Sequence, residues 1–570
     1  MKLRRILVAN RGEIAIRVAR AAHDYGITAI GVYTAAEDSS RLQSYFDEVI
    51  EIPGDGVAAY LNQEELIAVA HANEVDGVHP GYGFLSENPD FAQLVTDQGI
   101  CWIGPPAAAI RELGNKVVAR RLANELPWLT NPVLELGENG LEQAREFIEE
   151  HGLPVVFKAV DGGGGRGMRV VRSLSDLTQS YDAARAEAKR SFGSERCLLE
   201  RFFEGARHIE LQVLADSHGG LAFVGTRDCS LQRRYQKLLE EAPAPSISQA
   251  VIEQMCEVAS HLCRRTSYQS AGTFEFLVDP NGELVFLEVN TRLQVEHTVT
   301  EETSGLDLVL EQFKIAEGGE VPHVNATDSQ GHAIELRINA DDVNNNFLPS
   351  TGSIERLRLP SGPGVRIDAG IEQGSLVGLQ FDSLLMKLVV HGRNRFETIA
   401  RAKRALGELI IEGVTTNRDL FTYVLDAPLF RGDHGNSIDT GWLERELLPA
   451  LTIQQSAKPD PSFVIGEQRF YASSILGVSK LATLPNTTTQ AKASQTDGEV
   501  TIAAPMQAVV TRVLVKPGDN ILAETPLFAL EAMKMENLVH SSTSGTVKSV
   551  LVRAGDNVRR GEPCVVLDAG

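Results

Sequence analysis

Two glutamates and an asparagine near the middle of the chain carry the first chemical signal. Phe274-Glu275-Phe276-Leu277-Val278 and Leu284-Val285-Phe286-Leu287-Glu288-Val289-Asn290 read as strands on either side of Asp279-Pro280-Asn281-Gly282. Asn-Gly favours a two-residue hairpin turn. With Asn281-Gly282 as that turn, Glu275 faces Glu288 across the strands, and Asn290 follows two residues along on the same face. Like charges directly opposite destabilise a sheet unless something neutral or positive intervenes. Two carboxylates and an amide oxygen are hard ligands suited to Mg²⁺, which also bridges nucleotide phosphates. A Pro280-Asn281-Gly282 loop instead slips the register by one and parts the glutamates, unless a bulge restores them. A solvated acidic face is the plainer account, and Phe, Leu and Val at the intervening positions weigh against it.

Two further stretches could do chemistry. Asp161-Gly162-Gly163-Gly164-Gly165-Arg166-Gly167 lies between apolar strands at Val155–Val160 and Met168–Val171. So many glycines leave backbone N–H groups free to crowd round an anion, and such a loop can fold down as a lid. No Gly-Lys-Ser/Thr opens a helix here, so this is not the Walker pattern. Near the C-terminus, Lys534 sits between Met533 and Met535, with Phe528-Ala529-Leu530 before and Leu538-Val539 after. That arrangement predicts a tight turn holding a lysine out for a modifying enzyme. Val513-Leu514-Val515-Lys516-Pro517-Gly518-Asp519-Asn520-Ile521 recurs, 37 residues on, as Val550-Leu551-Val552-Arg553-Ala554-Gly555-Asp556-Asn557-Val558. Two copies of one strand–turn–strand unit predict a small sandwich with pseudo-twofold symmetry, with Lys534 close to the midpoint.

The bulk properties narrow the field. A chain of 570 residues with 43% apolar content should hold several domains with real cores. A net charge of −22 argues against nucleic-acid and membrane-surface binding. The six cysteines form no C-x-x-C pair, which fits a reducing compartment and argues against zinc. No apolar run approaches the roughly 18 residues that span a bilayer, and a strand begins where a signal peptide would lie. A cytoplasmic protein is expected.

The elements that must position these groups can be read in turn. Arg5–Asn10 has the composition of a buried parallel strand, Ile14–Tyr25 of an amphipathic helix, and Ile27–Tyr33 of the next strand. Alternation to about residue 110 predicts a doubly wound α/β layer. No G-x-G-x-x-G follows the first strand, so a nicotinamide site is not expected. His79-Pro80-Gly81-Tyr82-Gly83-Phe84-Leu85-Ser86-Glu87 is a turn-rich loop of the kind that holds ligands in such sheets. His332–Ala340 opens a β-rich lobe, with Glu335 and Arg337 on one strand face and Ile334, Leu336 and Ile338 on the other. Phe463–Leu481 has the apolar content of a strand or two. Leu484–Asp497 is a polar tether by composition, and roughly 15 such residues reach about 50 Å at most.

Taken together, these motifs resemble the biotin carboxylases over residues 1–446 and a biotin carboxyl carrier domain over 499–570. Val8-Ala9-Asn10-Arg11-Gly12-Glu13, the His79–Glu87 loop, the glycine lid, Thr291-Arg292-Leu293-Gln294-Val295-Glu296-His297, Gly364–Asp368, Phe381–Leu385 and Ala532-Met533-Lys534-Met535 carry the likeness. Lipoyl carriers share the fold, but their lysine follows Asp rather than Met. The resemblance implies an N-terminal α/β domain (1–112), an α+β ATP-grasp domain (113–320, lid about 131–202) and a β-rich C-terminal lobe (331–446). A linker and partner-docking segment (447–498) and an all-β flattened barrel of the biotinyl/lipoyl kind (499–570) follow.

It further implies site residues. Lys116 and Lys158, with Gly163, Gly164 and Gly165 of the lid, would hold ATP phosphates, and Glu200, His208 and Gln232 would contact the nucleotide. Mg²⁺ or Mn²⁺ would lie on Glu275, Glu288 and Asn290. Bicarbonate would sit on Arg292, Gln294, Lys237 and the Val295 N–H, since a guanidinium grips it through paired hydrogen bonds. Glu296 would be the general base, and Arg337 would hold the biotin ureido oxygen, where a fixed cation stabilises an enolate. Departures from the family pattern fall at Tyr235 (histidine in some members), Thr298 (often proline) and Gln507-Ala508 (usually Pro-Gly).

The activity so implied is ATP- and bicarbonate-dependent carboxylation of biotin on Lys534 of the chain's own carrier. It makes the chain an α subunit of an acetyl- or propionyl-type acyl-CoA carboxylase, oligomeric, biotinylated by a biotin protein ligase and served by a separate carboxyltransferase β subunit. Two rivals stay open: the ATP-dependent half of a split pyruvate or other non-CoA carboxylase, and a non-catalytic biotin carrier. Intact Lys116, Lys158, Glu275, Glu288, Arg292, Glu296 and Arg337 oppose the second.

Overall fold

The structure is a computed structural model. It describes residues 2–568 apart from 38, 130–131, 138, 161–167, 193, 433–437, 452–461, 466–467, 472–498, 506–507, 533–534 and 560. Gly163, Gly164, Gly165 and Lys534 therefore lie outside the described residues, as do the whole Leu484–Asp497 tether and Gln507. The chain divides into two units, one of Met1–Asn339, Gly352–Leu376 and Leu384–Glu446, the other of Ala340–Thr351, Val377–Ser383 and Leu447–Gly570.

The larger unit begins with the expected parallel layer. Its five strands lie in the order Glu48–Glu51, Thr28–Tyr33, Arg5–Val8, Gly77–His79, Cys101–Trp102, and all neighbours pair in parallel. The Arg5–Val8 strand is nearly all apolar and its last three residues are buried. The chain order reverses between this strand and Gly77–His79, and open α/β sheets form their crevice at such a switch point. There Asn10 Nδ2 donates to Pro80 O at 2.6 Å and Tyr82 O at 2.8 Å, tying the two loops together.

The centre of this unit is an eight-stranded sheet. Its order is Leu284–Asn290, Ser270–Val278, Arg207–Ala215, Leu221–Arg233, Gln236–Ala242, His332–Asn339, Leu384–Gly392, Val365–Ala369. The sequence suggests separate ATP-grasp and C-terminal lobes, yet Gln236–Ala242 pairs directly with His332–Asn339, so both contribute to one sheet. The helix Gln249–Thr266 packs Met255, Val258, Ala259 and Leu262 into the core formed with Phe274, Phe276 and Phe286. A four-stranded sheet of Val133–Glu135, Cys197–Arg201, Val155–Ala159 and Arg169–Val171 lies within the segment expected as the lid, with its own core of Phe147, Phe157, Tyr181 and Leu199. No helix among the described residues is long and apolar enough to cross a membrane.

In the smaller unit, residues 499–568 form two four-stranded sheets. One is Glu499–Ala503, Pro563–Asp568, Gly545–Val550, Asn520–Ile521; the other is Met535–His540, Pro526–Ala532, Ala508–Val513, Asn557–Val558. The sequence repeat is a structural one. Asn520 pairs with Thr546 in one sheet, and Asn557, 37 residues on, pairs with Val509 in the other. Gly518 and Gly555 take matching left-handed conformations (φ 94° and 98°), a region glycine enters without steric cost. Asp519 and Asp556 then accept from the N–H groups of Lys516 and Arg553 at 2.9 and 2.7 Å. The unassigned stretch after Phe463 begins with a hairpin, Ser462–Ile465 against Gln468–Tyr471.

Phe528 is fully buried in the core of this sandwich. Replacing it with alanine removes about 3–5 kcal/mol, a large share of the stability of a small domain. Calorimetry of the Phe528→Ala chain should show the carrier transition lowered or lost while that of the larger unit stays in place.

Candidate active site

The hairpin bearing Glu275 and Glu288 shows how local geometry places a reactive pair. The turn is not the two-residue Asn281-Gly282 turn. Val278 pairs with Leu284, and Asp279 N donates to Glu283 O at 3.1 Å, leaving a Pro280-Asn281-Gly282 tip with Gly282 at φ 86°. The Asp279 carboxylate accepts from the N–H groups of Asn281 and Glu283 at 2.9 and 2.7 Å, which stabilises the longer loop. Next to the tip the register is therefore slipped by one. A bulge between Phe276 and Glu275 then restores it, and Glu275 stands opposite Glu288. Leu287, the extra residue, offers its carbonyl to Arg120 Nε at 3.0 Å.

A two-residue turn does occur nearby. Arg233 pairs with Gln236, and Arg234 and Tyr235 at the tip both have positive φ (47° and 64°), as a type I′ turn requires. This turn projects Lys237 from the start of its strand.

Lys237 is the hub of the site. Its ammonium contacts Glu210, and it donates to Glu275 Oε1 and to Glu296 Oε1, each at 2.8 Å. Burial pushes its pKa down, but the three carboxylates lift it well above the ordinary lysine range. Glu210 also pairs with Arg227 Nε at 2.8 Å; Arg227 is fully buried and bonded to Gln212, Thr273 and Thr300 as well. Burial pushes the Glu296 carboxyl up, yet Lys237, Arg337 and Arg227 together hold it well below the usual range. Glu275 behaves alike: burial opposes ionisation, and Lys237 and His208 enforce it. Among the described residues, the sets His208/Glu210/Glu275 and Glu210/Cys229/Glu296 are compact enough to hold an ion. The Lys237 ammonium already contacts every carboxylate in both.

The segment after the last of these strands brings in the anion-binding candidates. Arg292 donates to Gln294 Oε1 at 2.9 Å and Asn290 Oδ1 at 3.2 Å, and pairs with Glu87 of the N-terminal layer at 3.0 Å. Asn290 Nδ2 and Gln294 Nε2 both donate to Glu275 Oε1, at 2.7 and 3.3 Å. Buried Lys387 donates to Val295 O at 3.0 Å and so fixes that peptide. Arg337 closes the group, with Nη2 at 2.9 Å from Glu296 Oε2 and 2.5 Å from Glu240 Oε1.

Toward the lid, Lys116 Nζ lies 2.8 Å from Glu288 Oε2, and Lys158 Nζ lies 2.8 Å from Glu200 Oε2. Glu288 raises the Lys116 pKa, while burial lowers that of Lys158 against the pull of Glu200. Burial works against the Glu200 carboxylate, but Arg120 and Lys158 bring its pKa down to about 2. Its carboxylate is engaged by those two cations, so in this arrangement it orients Lys158. His208 is bonded to Gln232 at 2.9 Å and lies 3.2 Å from Glu275.

The structure thus unites Lys237, Glu275, Asn290, Arg292, Gln294, Glu296 and Arg337 in one network, with Lys116/Glu288 and Lys158/Glu200 as separate pairs. Sequence reasoning missed Arg120, Glu210, Arg227 and Glu240. His208, Glu210 and Gln212 alternate on the strand Arg207–Ala215, and that period-two polar face was the available signal. Two carboxylates facing across a hairpin, each held by an ammonium, fit a hard divalent cation. Asn290 Oδ1 is turned to Arg292, so the glutamates are the firmer part of that donor set.

The eight-stranded sheet carries this network of buried carboxylates and cations in the larger unit, and residues 499–568 form a two-sheet sandwich in the smaller one. Family models match the chain as follows: "Biotin carboxylase, N-terminal domain" over 2–110, "Carbamoyl-phosphate synthase L chain, ATP binding domain" over 115–324, "Biotin carboxylase C-terminal domain" over 335–445, and "Biotin-requiring enzyme" over 500–567. The biotin-dependent acyl-coenzyme A carboxylase alpha3 subunit of Mycobacterium leprae is 41% identical, over 98% of each chain. A Campylobacter jejuni biotin carboxylase solved as a β-γ-ATP complex has a TM-score of 0.74 at 40% identity, covering 78% of this chain and 99% of that one. The biotin carboxylase domain of Hydrogenobacter thermophilus 2-oxoglutarate carboxylase, solved with MgADP and bicarbonate, has a TM-score of 0.75 at 36% identity, covering 78% and 98%. The chain belongs to the family of biotin-dependent acyl-CoA carboxylase α subunits, a biotin carboxylase fused to a biotin carrier domain.

Removing Lys237 tests the hub. Lys237→Met leaves Glu210, Glu275 and Glu296 buried without their shared cation, and breaking a buried pair costs about 3–5 kcal/mol. The depressed Glu275 and Glu296 stabilise the wild type above the ordinary carboxylate pKa of about 4.3, and that gain is lost only as pH falls through their lower folded values. In the variant the same groups titrate higher and shed their penalty on protonation. The melting-temperature gap between the two proteins should therefore narrow steadily from neutral to mildly acid pH.

Proposed function

We propose that the chain uses Mg-ATP to activate bicarbonate and passes the carboxyl group to biotin on Lys534, for delivery by a separate carboxyltransferase to an acyl-CoA. The observation that carries this reading is the position of Glu296, ionised and fully buried between Lys237 and Arg337. It links the carboxylate pair that suits a nucleotide-bound cation to the arginine that suits a developing enolate.

Each residue then has a physical task. Lys116 and Lys158 would exchange Glu288 and Glu200 for ATP phosphates, and the glycine lid would add backbone N–H groups. The divalent ion would be held by Glu275 and Glu288, with Asn290 beside them, and supplies positive charge over the phosphates. Arg292, steadied by Gln294 and Glu87, would grip bicarbonate together with the Val295 N–H. Glu296 would take the bicarbonate proton. In the resting site its basicity is suppressed by cations; an anionic substrate that draws Lys237 and Arg337 toward itself leaves burial to raise it. Biotin supplies the ureido nitrogen that accepts the carboxyl group, and Arg337 would stabilise charge on the ureido oxygen.

Acyl-CoA as final acceptor is supported by the full-length likeness to the M. leprae subunit, which covers both the carboxylase body and the carrier. A split pyruvate carboxylase half would need the same body with a different partner. Copurification with the native carboxyltransferase, followed by a panel of acyl-CoA and 2-oxo acid acceptors, decides between them. Glu296→Gln should lower bicarbonate-dependent ATP turnover by about 10²-fold or more. Lys534→Arg should abolish streptavidin-detectable biotin while leaving carboxylation of free biotin in place. Unchanged turnover in the first variant, or persistent biotin in the second, would overturn the proposed roles.

A further inference from the structure

Behind Arg337 lies a buried acidic pair that the scheme above does not use. Glu240 on Gln236–Ala242 and Glu335 on His332–Asn339 are cross-strand partners, and both are 0% exposed. Arg337, two residues beyond Glu335 on the same strand, is held by Glu240. From the helix His297–Ser304, the Thr298 hydroxyl donates to Glu335 Oε2. Lys387, the cross-strand partner of Arg337, approaches from the strand Leu384–Gly392. Glu296 and Cys229 are further ionisable groups that interact with the pair. Among the described residues, Glu240 Oε2 and Glu335 Oε1 accept no hydrogen bond.

Two ionised carboxylates set directly opposite in a dry interior repel strongly, and bare buried oxygens are costly in their own right. One proton held by the pair removes the repulsion and supplies the missing donor. We propose that Glu240 and Glu335 share a single proton in the working enzyme and act as positioning residues that leave the Arg337 charge directed toward biotin. This rests on the reading of Arg337 as the biotin-facing group. With the proton present, the guanidinium is balanced by Glu296 and one further charge. Without it, a third carboxylate charge pulls Arg337 back into the sheet and weakens its field on the ligand. The titration behaviour agrees: burial, with Glu335 adding and Arg337 opposing, takes Glu240 to about 8, and burial against Lys387 and Arg337 takes Glu335 to about 7.

The sign follows directly. The pair holds one proton between these two values and none above the higher, so biotin carboxylation should decline as pH rises past the higher value. The test is kcat/KM for free biotin from about pH 6.5 to about pH 9.5, each profile scaled to its own plateau, because kcat/KM reports groups of the free enzyme. Wild type should decline on the alkaline side. Glu335→Gln and Glu240→Gln each leave a single carboxyl group, so the pair can never carry two charges and should lose that decline. Thr298→Val removes a donor that favours ionised Glu335 and should move the decline to higher pH, a readout that survives if the Gln variants fail to fold. A wild-type profile without the decline, Gln variants that keep it, or an unmoved decline in Thr298→Val would overturn the shared proton. Arg337→Ala separates the two levels. Loss of biotin carboxylation with an unmoved decline in the other variants sinks the shared proton alone; full activity in Arg337→Ala removes the basis for both.

Discussion

Carboxylates cannot stay ionised in a dry sheet unless cations are built in beside them, and this constraint shapes the catalytic face. Glu210, Glu275 and Glu296 come from three separate segments, yet all end on one ammonium, Lys237. Arg227, itself buried, holds the other oxygen of Glu210. Each cation pays the desolvation cost of its neighbours only while the backbone keeps it within contact distance. The register of the surrounding strands is thus an electrostatic requirement as much as a hydrophobic one. It also explains why the resting site is poised rather than idle. Its positive groups are engaged with protein carboxylates, and an anionic substrate competes for them.

The same logic governs the lid side. Lys116 and Lys158 are each matched to one glutamate, and Glu200 is shared between Lys158 and Arg120. Pairs of this kind hold long side chains in a narrow set of positions before any ligand arrives, which lowers the ordering cost of binding. Arg120 reaches back to the carbonyl of bulged Leu287. The local irregularity that realigns Glu275 with Glu288 is therefore tied to the neighbouring helix Lys116–Ala123, and the two features reinforce one another.

Much of this was legible in the sequence, for reasons that differ by element. The carrier was readable because an internal repeat constrains a fold more tightly than propensity does: matching turns at Gly518 and Gly555 became matching strands in two sheets. The parallel N-terminal layer followed from alternation of element types. The Glu275/Glu288 alignment was readable, but its cause was not. Asn281-Gly282 is a strong two-residue turn signal, and the Asp279 carboxylate overrode it by capping a longer loop. The joining of Gln236–Ala242 to His332–Asn339 rests on a contact about 90 residues apart in sequence, which local patterning does not encode. Arg227 and Glu240 escaped notice because a charged residue in an apolar strand is ordinarily solvated, and only the fold shows what meets it.

The carrier's internal symmetry has a further geometric meaning. Under the 37-residue repeat, the strands that meet at Ala532 and Met535 are the counterparts of those that meet at Glu499 and Asp568. The sandwich therefore has two equivalent ends, and a substitution that weakens the strand pairing at one has a matching position at the other.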